Sequence, residues 1–347
     1  MGLPDFDSNG LLPPNNYEMT LEELASSMLV EGPEEVYPSW DRDWRAVLVE
    51  NLGIMVEQLW EAGISEIFVN GSFVEDKDHQ GDIDGYFECG VLEVATGRLQ
   101  GKLNELDPYK VWTWDPRSRR PYKNQPKWQL PMWHRYRVEL YPHYPDLSQT
   151  SGIKDEFGND LQFPAAFRKS RREHTQGHNQ TSRTLGGSAR GDKKAEGSTE
   201  ETMIRNEKEY KEARARLERD EEVIAAQRQA LVGRGLSDKD VERALGPVLS
   251  FRAQLEEEME WYERVRRRDF EIIDNLSAVG TLLIALRIAN GLSQKDLAQK
   301  LDVSEAQVSR DERNEYHGIT VERAQRVLDA MGESLTTRVV EKPLVPA

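Results

Sequence analysis

The chain has 347 residues, 62 acidic and 46 basic side chains, a formal net charge of −16 and one cysteine, Cys89. That length allows two or three domains. The lone cysteine excludes an intrachain disulfide framework and suits a reducing compartment. No apolar run approaches the roughly 18 residues of a membrane span, and the opening segment lacks the basic start and apolar core of a signal peptide. A cytoplasmic protein without membrane contact is expected. Its acidity is uneven: residues 1–150 hold 26 acidic against 13 basic side chains, and residues 279–347 hold 10 against 9.

In chain order, residues 1–35 read as loop and then a short helix, Thr20 to Leu29, capped by Thr20. Trp40 to Ala62 carries Trp44, Val47, Leu48, Leu52, Met55, Leu59 and Trp60 at helical spacing and stops at Gly63. Glu66 to Asn70 predicts a short buried strand, ending at Gly71-Ser72. After the polar loop Glu75 to Gly81, Asp82 to Phe87 predicts a second strand. Leu92 to Leu106 predicts a helix, and Tyr136 to Leu140 a third strand stopped by Pro142. This order implies an α/β domain with a mixed sheet over residues 1–167.

Residues 168–202 shift to Arg, Lys, Gly, Ser, Thr, Gln and Asn and predict a flexible linker. Residues 203–276 then predict a coiled-coil-like helical hairpin. Its first helix has Tyr210, Ala213, Leu217, Ile224 and Leu231 near heptad spacing and breaks at Gly233 to Gly235. A short helix from Ser237 to Gly246-Pro247 precedes the second long one, marked by Val248, Phe251, Leu255, Met259, Tyr262 and Val265. The apolar seam serves dimerisation or a partner; plain solvated helices are the alternative.

From residue 277 to 340, start and stop signals mark almost every join. Asn290-Gly291 ends one helix, Ser293 caps a second to Leu301, Ser304 caps a third to about Glu312, and Thr320 caps a fourth. Two helices joined by a tight turn are the geometry of a helix-turn-helix. The run LSQKDLAQKLDVSEAQVSRDE resembles the phage-repressor (Xre/Cro) family almost position by position. The resemblance implies that the helix after the turn enters the major groove of operator DNA. Ser304, Glu305, Gln307, Ser309, Arg310 and Arg313 are then the candidate contacts, with Gln294 on a phosphate. The near-neutral charge of this segment predicts two heads per site, hence a homodimer or higher oligomer, because affinity comes largely from phosphate neutralisation.

A second constellation lies near the start. Asn70-Gly71-Ser72 is followed after nine residues by Asp82-Ile83-Asp84, and later by Val138-Glu139-Leu140. Carboxylates at i and i+2 of a strand share a face. Converging acids bind hard cations such as Mg²⁺, and a Gly-Ser turn lets backbone approach a phosphate. The pattern resembles the minimal-nucleotidyltransferase branch of the polymerase-β-like superfamily, toxin-type members included. That resemblance implies a catalytic set of Gly71, Ser72, Asp82, Asp84 and Glu139. Asp82 and Asp84 would be Mg²⁺ ligands, Glu139 the third carboxylate, and a nucleoside triphosphate the substrate. Gly85 departs from the family, where an apolar strand residue is usual. A paired-acid strand is also a common solvated face.

Lys110, Arg117, Arg119, Arg120 and Lys123 interleave with Trp112, Trp114, Tyr122, Trp128 and Trp133. Such a surface suits single-stranded nucleic acid, or the tryptophans cover a small core. Together these readings give a multidomain chain: a nucleotidyltransferase-like α/β domain, an all-α hairpin and a helix-turn-helix domain. Its function would be that of a fused toxin–antitoxin protein, transferring NMP to tRNA, other RNA or protein. The C-terminal part would contact and restrain the toxin part and repress its own operon. The alternative is a non-enzymatic Xre-type regulator with a degenerate nucleotidyltransferase-fold sensor. Read-through between two adjacent genes is a third possibility.

Overall fold

The computed structural model describes residues 3–7, 10–13, 15–33, 40–122, 127–145, 147, 150–154, 160–162, 183–186, 203–273 and 276–338. It divides into two compact units, Met1–Glu263 and Arg264–Ala347. Among the described residues no helix is long and apolar enough to cross a membrane.

The first unit is organised by a five-stranded mixed sheet. Its strands in chain order are β1 (Asn15–Tyr17), β2 (Ile67–Asn70), β3 (Ile83–Glu88), β4 (Val138–His143) and, far along the chain, β7 (Arg183–Gly186). Between β4 and β7, β5 (Thr150–Lys154) and β6 (Asp160–Gln162) form a separate antiparallel pair. The spatial order of the main sheet is β1-β7-β2-β3-β4, with β2 antiparallel to β3 and β3 parallel to β4. The three strands expected from sequence are its β2, β3 and β4. The rest of the expected linker, apart from β7, lies outside the described residues.

Local chemistry sets the helices. Thr20 and Glu23 form a reciprocal capping box that starts α1 (Leu21–Ala25). The single helix expected to Leu29 is two, because Ser27 caps a fresh turn, α2 (Met28–Glu31). Asp41 caps α3 (Arg42–Ala62) by accepting from the Trp44 N–H at 3.1 Å. Leu48, Leu52, Met55 and Leu59 are buried as expected, whereas Val47 and Trp60 are exposed and Val49 and Val56 complete the inner face. The helix expected over Leu92 to Leu106 is likewise split, into α4 (Val91–Ala95) and α5 (Arg98–Leu106).

Tyr136 belongs not to a strand but to α6 (Pro131–Tyr136), after which Arg137 turns left-handed. Pro142 does not stop β4, which runs to His143. This strand is the sheet edge, where a missing N–H need not cost a ladder bond.

Arg45 on α3 is fully buried and ties the unit together. Its guanidinium donates to the carbonyls of Leu29 (2.6 Å), Phe73 (3.1 Å), Glu75 (3.3 Å) and Lys77 (2.6 Å). Burial lowers its pKa to about 9, against the nearby charges of Asp78, Asp41 and Asp76. It therefore stays charged at neutral pH.

The hairpin consists of α7 (Glu207–Gly233), capped by Asn206, and α8 (Asp238–Arg266). Tyr210 stacks on Tyr262, Arg252 donates to Leu217 O at 2.9 Å, and Arg228 pairs with Glu242, so the two helices run antiparallel. The expected break at Gly246-Pro247 does not occur. Pro247 lacks an N–H, yet packing holds the helix through it. The Tyr144 hydroxyl donates to Ala244 O at 3.1 Å, and the Ser250 hydroxyl donates to Trp114 O at 2.7 Å. The sequence suggested a separate segment at 203–276. In the structure Leu231, Val241, Ala244 and Leu245 share one core with the helices and strands of the sheet.

The second unit is helical: α9 (Val279–Ala289), α10 (Gln294–Leu301), α11 (Glu305–Arg313) and α12 (Val321–Met331). Ser293, Ser304 and Thr320 cap the last three, as the sequence indicates. Leu283, Leu286, Leu297, Ala298, Val308, Val327 and Leu328 fill its core.

Candidate functional site

Strand register assembles the acidic constellation. Asn70 on β2 pairs with Asp84 on β3, and Asp84 pairs with Glu139 on β4. Registered neighbours point to one face, so Asn70, Asp84 and Glu139 form a row across three strands. The next layer on that face is aromatic: Phe68 stacks on Tyr86 at 4.7 Å, beside Tyr141. Asp82 lies two residues before Asp84, and one of its oxygens accepts the indole N–H of Trp133. Both aspartates are partly exposed, and Glu139 is fully buried.

Gly71 opens the turn after β2 at φ 71°. A Cβ there would lie 3.3 Å from Asp84 Oδ2, a tight contact, and the positive φ strains any other residue, so glycine is favoured where this backbone nears the carboxylate. Gly85, the departure from the family pattern, is explained by packing. A Cβ at Gly85 would meet Phe68 O at 2.4 Å and a Leu140 methyl at 2.7 Å. An apolar side chain cannot fit between these strands.

Glu139 is held on every side. Its carboxylate accepts from the Leu130 N–H (3.0 Å), the Tyr141 hydroxyl (2.8 Å) and Gln254 Nε2 (3.3 Å). Sequence reasoning missed Gln254, because a glutamine on a charged helix gives no signal of its own. It also gave Asn70 no role. That side chain is buried, and among the described residues neither polar atom of its amide has a hydrogen-bond partner. Its signal was a polar residue closing an apolar strand directly before Gly71-Ser72.

The basic and aromatic residues divide. Trp112, Trp114 and Trp133 are buried, with Trp112 donating to Gln58 Oε1 at 2.6 Å and Trp114 to Leu140 O at 2.9 Å. Trp112 and Trp114 belong to the core, whereas Trp133 is buried against Asp82. Lys110 and Arg120 are exposed. Arg117 is exposed and paired with Asp115 at 2.7 Å, which holds that carboxyl below its usual range. Arg119 is buried against Glu257, and Lys123 lies outside the described residues. Two cations stack on rings: Arg135 over Tyr109 at 3.8 Å, and Arg137 over Trp133 at 3.8 Å.

In the second unit, Glu305, Ser309 and Arg310 face solvent on α11, and Ser304 is spent as its cap. Gln307 donates to Asp311 at 2.9 Å. Gln294 donates to Glu312 at 2.8 Å, and Glu312 forms a buried ion pair with Arg287. That pair fixes the angle between α9 and α11. Arg313 is partly buried at the end of α11.

Comparison with known proteins gives two matches. Residues 4–180 match a family of unknown function (DUF6932), and residues 283–337 match the helix-turn-helix family. No curated protein and no solved structure matches the chain. The second match makes the C-terminal unit the DNA-binding part of a transcription regulator.

Proposed function

The chain belongs to the DUF6932 family through residues 4–180, and we propose that this part is a metal-dependent nucleotidyltransferase under the control of the DNA-binding unit. The row Asn70–Asp84–Glu139, with Gly71 against Asp84, carries the reading. Three segments that the sequence singled out separately meet at one end of adjacent strands. The order α3, β2, β3, α4–α5, β4 also agrees with the resemblance to minimal nucleotidyltransferases.

The donor types suit a divalent cation, although the carboxylate oxygens of Asp82, Asp84 and Glu139 do not all lie within 4.8 Å of one another. Asp82 and Asp84 offer partly exposed carboxylate oxygens, and Asn70 adds an unpaired amide beside them. When bound, Mg²⁺ would neutralise nucleotide phosphate charge and polarise the transferring phosphoryl group. The Gly71-Ser72 backbone would approach the phosphate. Trp133 orients Asp82 through its indole N–H, and Tyr141 and Leu130 orient Glu139. In this reading Glu139 accepts the proton of an attacking hydroxyl only once one of the donors that hold its carboxylate gives way. RNA, tRNA included, is the favoured acceptor class, because Lys110, Arg120, Arg135 and Tyr109 are exposed. By the same reading the protein represses its own operon as a homodimer or higher oligomer. Incubation with labelled nucleoside triphosphates and total RNA tests the catalytic proposal. Wild type should label RNA, and an Asp82→Asn, Asp84→Asn double variant should not; equal labelling by both would remove it.

The second reading is a regulator whose sheet unit senses a ligand without catalysis. The closed bonding around Glu139 favours it. Nucleotide binding without transfer would select that reading.

A further inference from the structure

Helix α8 lies on the acid-bearing face of the sheet, where Phe251 packs on Tyr141 at 4.1 Å. It meets the candidate site with two side chains three residues apart, on one helix face. Gln254 donates to Glu139. Glu257 accepts from Arg119 Nη1 at 3.1 Å, from Arg119 Nη2 at 2.9 Å and from the Trp128 backbone N–H at 2.6 Å. The opposing partners are two residues apart: the Trp128 N–H holds Glu257, and the Leu130 N–H holds Glu139.

A guanidinium fork and a backbone N–H converging on one acid are the donors that bind phosphate oxygens. They are pre-set here. Arg119 also donates to Trp128 O, and the Arg120–Gln129 bridge fixes the two segments. The Arg119 side chain is 1% exposed beneath Glu257, whose own side chain is 23% exposed. The carboxylate is therefore the outer, removable member of the pair.

We propose that Arg119 and the Trp128 N–H form a phosphate seat beside the carboxylates, and that Glu257 fills it as an internal stand-in while Gln254 holds Glu139. Helix α8 thereby keeps the site closed until a phosphate-bearing ligand displaces it. The closing role rests on the nucleotidyltransferase reading; the seat itself does not require catalysis. A tethered carboxylate competes at high effective concentration, so only a ligand with several contacts displaces it.

The test uses the full chain with EDTA present, so that metal binding does not enter. Binding of pyrophosphate, ATP and a labelled single-stranded RNA is measured for wild type, Glu257→Gln, and Glu257→Gln combined with Arg119→Gln. Glu257→Gln keeps the size and an acceptor oxygen and removes the charge. Its affinity should rise at least about tenfold, and the added Arg119→Gln should cancel the gain. A gain for pyrophosphate and ATP assigns the seat to nucleotide phosphates, and a gain for RNA alone assigns it to the RNA backbone. No gain in a folded Glu257→Gln protein overturns the seat. If that variant does not fold, hydrogen exchange over residues 250–258 of wild type decides. Saturating pyrophosphate should accelerate exchange there, and unchanged exchange overturns the proposal. A gain in binding without any nucleotide transfer removes only the catalytic reading; transfer without the gain removes only the seat.

Discussion

The helix-turn-helix and the acidic face of the sheet are assembled from opposite kinds of contact. In the first, the decisive bonds are short in sequence: Arg287 reaches Glu312 across 25 residues, and Gln294 reaches it across 18. In the second, Gln254 reaches Glu139 across 115 residues and Arg119 reaches Glu257 across 138. A local site can be built by caps and spacing alone. A site closed by a distant helix needs the whole unit folded first, which gives that helix the means to control access.

The largest expected effect breaks the local site. Arg287→Met leaves the carboxylate of Glu312 buried without its cation, which costs about 3–5 kcal/mol. Chemical denaturation should show that loss, and gel-shift titration should show DNA binding failing with it. The double variant Arg287→Met, Glu312→Leu should recover much of the stability, because no lone charge stays buried. Next comes the corresponding staple of the sheet unit. Arg45→Met strips four carbonyls of their donor and should cost roughly 3 kcal/mol. Arg45→Lys should rescue it poorly, since an ammonium cannot reproduce the planar fork.

A smaller effect sharpens the separation of tasks. Arg310→Ala, exposed on α11, should weaken DNA binding by about 1–3 kcal/mol. Any nucleotide transfer should be unchanged, and a gel shift at fixed salt beside a labelling assay checks both. The smallest lies in the hairpin. Burial holds the Asp220 carboxyl above its usual range, against Arg216, Arg252 and Arg219. The native state therefore binds this proton more readily than the unfolded chain. That contribution to stability is full below the unfolded value of 3.8 and is lost as pH rises through the raised native value. Asp220→Asn removes the dependence. Its thermal midpoint should exceed that of wild type at neutral pH, and the difference should close as pH falls.

The same contrast decides what was legible in the sequence. Ser293, Ser304 and Thr320 announce their helices because a cap acts on the N–H groups two or three residues ahead. The engagement of Gln294 and Gln307 with Glu312 and Asp311 was not legible, because a polar residue on either helix of the motif reads the same whether free or bonded. In the sheet, Gly71, Asp82, Asp84 and Glu139 stood out by type and spacing, and the register joins Asp84 to Glu139. The cover did not stand out. Gln254 and Glu257 sit in a charged helix that resembles a solvated one, and Gly246-Pro247 suggested a break just before them. Only the contacts of Ala244 and Ser250 with Tyr144 and Trp114 show why the helix runs on.

The central claim, that the acidic face binds a metal–nucleotide complex, is tested most directly by titrating ATP into the full chain with and without Mg²⁺. Wild type should bind markedly better with Mg²⁺ than with EDTA, and Asp84→Asn should lose that advantage while keeping its metal-free affinity. An equal Mg²⁺ effect in wild type and Asp84→Asn, or none in either, would contradict it.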